Sequence, residues 1–256
     1  YRSIKSVKRR KATAQQTLEM VQQIRLELPR LGTRKLYYLL KDELKSIGVG
    51  RDRLFSILRA NHMLIEPKRS YHITTDSHHR FRKHKNTAKS IHLTSPEQLW
   101  VSDITYVGHR QNPMYLALVT DAYSKKIMGY DTSCSLSAIG SVRALEMALK
   151  NRKYSHQLMH HSDRGLQYCG DDYQAILSKS KLKCSMTEAY DPYENAVAER
   201  VNGVLKQEFL GNTKNVDLKT MQKLVSDSIR IYNSKRHHYS CYYKTPEQMH
   251  QQKRIK

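Results

Sequence analysis

Three β-rich runs, LWVSDITYVG, MYLALVTDAYS and KKIMGYDTS, crowd into residues 99–133 with only short turn segments between them (HRQNP, then SKK). Runs this close leave no room for crossover helices, so they predict a three-stranded antiparallel meander. A helix is expected over 137–150, which offers Ile139, Val142, Leu145, Met147 and Leu149 for packing. A short strand (QLMHHSD), a helix around 171–180 and another short strand (LKCSMTE) follow. The order βββαβαβα describes an α/β layer with a mixed sheet, in which strand ends and helix starts share one site.

The chain before residue 97 has a different period. Leu18, Val21, Ile24 and Leu28 recur at helical spacing from about residue 14 until Pro29. A second helix is expected with Thr33 as its cap and Leu36, Leu40, Leu44 and Ile47 on one face, broken by Gly48 and Gly50. A third, from about Arg51 to Ala60, carries Leu54, Ile57 and Leu58. Two short helices across a glycine-containing turn, after a packing helix, describe a helix-turn-helix unit over 14–66. Residues 1–13 read as a solvated basic arm, and 67–95 as a basic linker without period. Within that linker His72, His78, His79 and His84 have no cysteine pair beside them, so zinc binding is not expected. The catalytic layer is placed at 96–215, and 216–256 is read as a C-terminal helix and basic tail.

Charge narrows the partner. The 256 residues carry 45 Lys and Arg against 23 Asp and Glu, a formal net charge of +22. Residues 1–95 hold +15 of it. Such an excess favours a polyanion, and no long apolar stretch or basic amphipathic anchor turns the chain toward a membrane. DNA or RNA is the expected partner and the cytoplasm the expected compartment. Cys134, Cys169, Cys184 and Cys241 form no close pair and read as reduced packing residues. A first residue Tyr1 instead of Met suggests a piece of something longer.

Against this basic background three acids stand out. Asp103 interrupts the apolar strand WVSDITYV, where a carboxylate is costly to desolvate unless paired or holding a metal. Asp163 ends the fourth strand in HHSDRGLQY; a loop-capping role is its ordinary reading. In DPYENAVAERVNGVLK, Asp191, Pro192 and Glu194 read as a capping box, which makes Glu194 structural and leaves Glu199 a turn deeper on a thin helix. Taken alone, that helix favours the common fate of a helical glutamate, exposure beside a lysine. Together, acids from a strand centre, a strand end and a helix make a cage for hard divalent cations, with Mg²⁺ suited to oxygen ligands and two ions able to serve attacking and leaving oxygens. Lys206, seven residues beyond Glu199, falls on the same helical face and in reach of a phosphate. Asp121 reads as a turn cap, Trp100 as a core anchor, and His160 and His161 as residues that orient a ligand from behind.

The motifs W-x-x-D-I-T-Y at 100–106, H-S-D-R-G-L-Q-Y at 161–168, and E-N-A-V-A-E followed by Leu205-Lys206 together resemble the insertion-sequence transposases of the IS-three group, which share a retroviral-integrase-like catalytic domain. Between Asp163 and Glu199 lie 35 residues, the spacing of that superfamily's DDE signature. RLGTRKLYYLL in front, and YNSKRHHYS and TPEQ behind, extend the likeness over nearly the whole chain. TEAYDPYENA departs from the usual pattern, having Glu194-Asn195 and no glycine ahead of the catalytic glutamate.

The resemblance implies an RNase H-like mixed sheet flanked by helices, the integrase catalytic core, preceded by an all-α helix-turn-helix domain. It implies that Asp103, Asp163 and Glu199 are both catalytic and metal-ligating. It further implies two Mg²⁺ ions per site with Mn²⁺ as a substitute, nicking at the element's ends, and strand transfer of the freed 3′-hydroxyl. The implied partners are terminal inverted repeats, target DNA and further copies of the chain, at least a dimer in a synaptic complex on the bacterial nucleoid. A front portion with a further helix-turn-helix and a leucine zipper would be missing or supplied separately. Arg34, Lys35, Arg51, Arg53, Arg164, Arg200 and Lys206 are the candidate DNA contacts. Two rival readings stay open: a catalytically inactive DNA-binding regulator, and a nuclease on the same fold that cuts without joining.

Overall fold

The computed structural model describes residues 4–66, 83–109, 112–188, 192–211, 213 and 216–252, which divide between two compact units, Tyr1–Ser70 and Tyr71–Lys256. Among the described residues no helix is long and apolar enough to cross a membrane.

The first unit is all helix: α1 Ile4–Glu27, α2 Thr33–Leu39, α3 Lys41–Ser46 and α4 Arg51–Ala60. Its core is a leucine cluster, Leu28, Leu31, Leu36, Leu40, Leu44, Leu54 and Leu58, with Val21 and Val49. The expected second helix is two, because Leu40 leaves helical geometry at φ −101°, ψ 17° between α2 and α3. Thr33 is the first helical residue there, and Gly32 stands at the cap. The basic arm is corrected more substantially. From Ile4 onward it is the front of α1, exposed but helical, since Lys, Arg, Ala and Gln extend a helix without needing to pack.

The second unit is a five-stranded mixed sheet in the order β3-β2-β1-β4-β5. β1 (Leu99–His109), β2 (Asn112–Asp121) and β3 (Ile127–Ser133) form the expected antiparallel meander. β4 (Met159–Ser162) and β5 (Lys183–Met186) continue it in parallel, with Trp100 beside His160 and Val101 beside His161. One face is covered by α5 (Ala138–Lys150), a short α6 (Leu166–Cys169) and α7 (Asp171–Lys179), packed on Trp100, Ile104, Ala117 and Met128. Gly129 lets α5 approach closely, because a Cβ there would lie 2.0 Å from the Ala144 carbonyl oxygen. The other face is covered by α8 (Ala196–Val204), a π-helical turn over Leu205–Phe209 and α9 (Leu218–Lys235), packed on Val107, Met114, Leu116 and Leu118. Strand alternation therefore points Trp100 and Ile104 at the first face, and Asp103, Thr105 and Val107 at the second.

Two ends of this unit differ from expectation. Residues 67–82, with His72, His78 and His79, lie outside the described residues, but from Lys85 the supposed linker is laid along β5, where the Thr87 and Ala88 amides donate to Ser185 Oγ at 3.0 and 3.1 Å. The supposed basic tail is also folded in. It forms α10 (Pro246–His250), opened by a Thr245/Gln248 capping box, and buries Arg236, Cys241 and His250, the first and last of them against acids. Arg236 makes a bidentate pair with Glu208 at 2.6 and 2.7 Å, and His250 lies 3.2 Å from Glu97. Among the cysteines, Cys169 and Cys241 pack in the interior, whereas Cys134 is exposed.

Candidate active site

Asp103 sits at the middle of β1 on the face that α8 covers, and its carboxylate is held by two donors. The Ile104 amide donates to Oδ1 at 2.9 Å and the Asn202 side-chain amide to Oδ2 at 2.7 Å. Burial is the largest influence on its pKa and Asp163 the next, with a smaller push from Glu199; the two donors oppose them. The net result is a carboxyl pushed up to about 7. Like charges act this way only when close, so the strand centre, the turn after β4 and α8 share one field.

Asp163 follows the last residue of β4, where the parallel strand ends and the chain turns over the rim of the sheet. Its Oδ1 accepts from the Gly165 amide at 3.0 Å, so it caps its turn as the ordinary reading required, while its charge also reaches Asp103. Glu199 is exposed on α8. Among the described residues no three His, Cys, Asp or Glu side chains are gathered into a group that would hold a metal ion. The donor chemistry nevertheless fits a hard cation: the carboxylates are oxygen donors, and Asp103 is pushed up to about 7 first by burial and then by the charge of Asp163, both of which a bound cation offsets.

Lys206 lies in the π-helical turn, half-buried, with Nζ 3.4 Å from Thr105 Oγ1, two residues along β1 from Asp103. Burial lowers its pKa and Asp103 opposes that shift. The turn that carries it is braced by the Arg236–Glu208 pair, since Glu208 belongs to the same turn. Arg236 also reaches His238 Nε2 at 2.9 Å and lies 5.9 Å from the centre of the Tyr232 ring.

The entry to α8 is not the expected capping box. Asp191 lies outside the described residues; a 3₁₀ turn spans Pro192–Asn195, and the helix starts at Ala196. Glu194, its side chain 2% exposed, pairs instead with Lys89 at 2.5 Å and accepts from the Glu188 amide. Asn195 replaces the missing cap as an anchor, donating from its side chain to the Ser102 carbonyl at 3.0 Å. His161 joins in through Nε2, 3.0 Å from the Glu194 carbonyl, with Nδ1 at 2.9 Å from Ser185 Oγ. Its contribution is to fix the turn that launches α8. His160 is buried against Ser102 Oγ and the Tyr173 hydroxyl, both 2.8 Å from Nε2, and burial drops its pKa to about 3. It cross-links the sheet to α7. Asp121 is a turn cap, accepting from the Ser124 amide at 2.8 Å, and Trp100 is a fully buried core residue.

The remaining cations are dispersed. Arg164 is half-buried directly after Asp163, while Arg200 is exposed and its charge is felt at Tyr232. Arg34, Lys35, Arg51 and Arg53 belong to the helical unit; Arg34, Arg51 and Arg53 are exposed there, and Arg51 pairs with Asp52 at 2.9 Å. Sequence reasoning missed Asn202, whose available signal was its place three residues after Glu199, on the same side of a helix. It also missed Tyr168, a buried phenol whose pKa is raised well above 10, first by burial and then by Asp103 and Asp163.

Comparison with known proteins agrees with this fold. Two integrase core domain families match, one over residues 94–192 and the other over 180–246. The chain is 35% identical over 209 residues to the insertion element IS600 uncharacterized 31 kDa protein of Shigella sonnei, covering 81% of this chain and 76% of that one. It is likewise 35% identical to the transposase InsF for insertion sequence IS3A of Escherichia coli K12, over 62% of this chain and 56% of the relative. Among solved structures, a chain of the simian T-cell lymphotropic virus intasome in complex with a PP2A regulatory subunit superposes with a TM-score of 0.54. It is 18% identical and aligned over 88% of this chain and 76% of its own length, a likeness of fold.

Proposed function

Because the chain belongs to the IS3 group of insertion-sequence transposases, with an integrase-like catalytic domain, we propose that it nicks DNA at the ends of its element and transfers the freed 3′-hydroxyl to a target strand. The observation that supports the reading is the Asp103 carboxylate in mid-strand, tied to α8 by Asn202 at 2.7 Å, with Lys206 on the neighbouring Thr105. Asp163 and Glu199 both add to the negative charge felt at Asp103, and Lys206 stands two residues along β1 from it, in a chain whose net charge is +22.

In this reading Asp103, Asp163 and Glu199 hold divalent cations, Mg²⁺ or Mn²⁺, two per site. Bound there, the ions supply the positive charge that activates an attacking oxygen and stabilises a leaving one. The chain's own residues do the rest. Asn202 fixes the Asp103 carboxylate so that only part of its acceptor capacity is used on protein, leaving lone pairs for a ligand. Lys206 offers a cation beside Asp103 for a DNA phosphate, and its half-buried position on Thr105 restricts where that phosphate lies. The helical unit reads the element's terminal inverted repeats, with Arg51 and Arg53 at the start of α4 and Arg34 and Lys35 on α2 contacting DNA. Two or more copies bring the ends together in the cytoplasm, on the nucleoid.

The test is the joining of a labelled terminal-repeat strand to an unlabelled target in Mg²⁺. Joined product that disappears with chelator and with Asp163→Asn is expected. Cut ends without joining would make the chain a nuclease, and DNA binding without cutting would make it a regulator.

A further inference from the structure

The segment between α9 and α10 carries a feature that the chemistry at Asp103 does not use. Tyr239 and Tyr242 are 78% and 74% exposed, three residues apart in a tight loop. A third ring, Tyr243, meets Tyr239 edge-on with centroids 5.6 Å apart. Cys241 Sγ, 3.5 Å from the Ser124 carbonyl, seats the loop on the turn between β2 and β3 that carries a further tyrosine, Tyr123. The patch is therefore several tyrosines wide.

The loop is held rigid, and at a cost. Tyr242 and Tyr243 take φ values of 54° and 58°, a left-handed pair that bulky side chains rarely adopt. A lattice of backbone bonds holds them there: Tyr242 N–H to the Tyr239 carbonyl at 3.1 Å, Tyr243 N–H to His238 at 2.9 Å, Lys244 N–H to Cys241 at 2.9 Å, and His238 N–H to Lys244 at 3.1 Å. Beneath them Cys241 is fully buried with Sγ 3.5 Å from the Ser124 carbonyl, and the Thr245 capping box closes the far side. Strain maintained by so many contacts, only to present aromatic rings to solvent, is the kind found at binding surfaces. The flanks select the partner. Residues 234–244, SKRHHYSCYYK, contain no acid, and Lys235 is exposed while Lys244 is half-buried at the loop's two ends.

Flat, pre-ordered rings bracketed by cations meet the two demands of an unpaired nucleic-acid strand, a face for each base and a charge for each phosphate. A protein partner would take the rings but not require a cation at each end of the loop. We propose that the 237–243 loop is a stacking platform for single-stranded DNA, with Tyr239 and Tyr242 against bases and Lys235 and Lys244 near the backbone. The proposal rests on the reading of the chain as a DNA-processing enzyme, but not on its acids. The loop sits over the β2–β3 turn, at the end of the sheet where β1 begins, whereas Asp163 follows the end of β4.

The test measures fluorescence anisotropy of a labelled oligothymidine and of a duplex on the full chain, in wild type, in the double variant Tyr239→Ala/Tyr242→Ala, and in Tyr239→Phe/Tyr242→Phe. The alanine pair is expected to weaken single-strand binding at least about tenfold, from two lost stacking contacts. Duplex affinity and melting temperature should stay unchanged, and the phenylalanine pair should bind as wild type. Equal single-strand affinity in all three proteins, or no measurable binding by the wild type, would overturn the platform. So would a change of oligomeric state in the alanine pair with strand binding intact, which would make the loop a contact between copies. Strand joining by the same samples separates the two readings: a wild type that binds oligothymidine through these tyrosines but joins no DNA keeps the platform and loses the transposase.

Discussion

The side-chain amide of Asn202 donates to Oδ2 of Asp103 at 2.7 Å, fastening α8 to the centre of β1 across 99 positions of sequence. The contact holds a helix that carries one acid against a strand that carries another. Replacing Asn202 with alanine removes a charge-assisted hydrogen bond, which is worth roughly 1.5–3 kcal/mol. Strand joining by Asn202→Ala should fall about tenfold or more in kcat, while DNA affinity stays within about threefold, by single-turnover kinetics and a binding titration. Equal losses in both would mean that the contact merely supports the fold.

Asp103 gives a prediction in pH. Its folded pKa, about 7, lies above the ordinary carboxylate value, so the folded protein holds this proton where the unfolded chain releases it. The sign follows: with no divalent cation present, this group lowers stability progressively as pH rises from about 4 to 7. Asp103→Asn removes that loss. In chelator at pH 7.5 the variant should be more stable than wild type by about 1–2 kcal/mol, a discounted share of the roughly 1.4 kcal/mol per pH unit available, and the difference should shrink toward pH 4.5. Adding Mg²⁺ should raise the wild-type melting temperature and leave the variant nearly unmoved. A variant less stable than wild type across the range would contradict a carboxyl destabilised by burial and by its acidic neighbours.

The Arg236–Glu208 pair braces the π-helical turn from which Lys206 extends. Arg236 is 1% exposed, and truncating it leaves a cavity and a partly buried Glu208 without its partner. Arg236→Ala should destabilise the protein by about 3–5 kcal/mol in urea unfolding. Removing both charges, as Arg236→Met with Glu208→Gln, should recover most of that loss. Failure of the double change to recover stability would mean that the pair is not the brace.

Much of this was legible in the sequence, and the gaps share a cause. The β1–β3 meander, α4 over Arg51–Ala60 and the mixed sheet follow from local period and turn chemistry, which act within a few residues. Asp103 stood out because a carboxylate in an apolar strand needs a reason, whereas Asp163 and Glu199, an ordinary turn cap and an ordinary helical glutamate by themselves, were singled out by the spacing of the family that the chain resembles. Asn202 and the Arg236–Glu208 pair were not, since their partners are distant in sequence and a lone Asn, Arg or Glu on a helix reads as solvated. The same limit hid the folded tail, whose cations Arg236 and His250 find acids at Glu208 and Glu97. The front of α1 failed differently: lack of apolar residues argues against packing, and it was read as an argument against helix.

Charge sets the salt response. Six or more phosphate contacts release enough counterions that DNA affinity should drop about a thousandfold from 50 to 200 mM salt. Asp163→Asn should follow the same salt curve as wild type while losing cutting and joining altogether. A flat salt response would contradict the charge argument, and a matched loss of affinity and activity would remove Asp163 from the chemistry.

The central claim is that Asp103, Asp163 and Glu199 close on paired divalent cations at a DNA end. The most direct measurement is anomalous diffraction from crystals of the chain bound to a terminal-repeat duplex in Mn²⁺. Two peaks about 4 Å apart, ligated by these three carboxylates, are the predicted result. A bound DNA end with no manganese between residues 103, 163 and 199, in crystals of active protein, would contradict it.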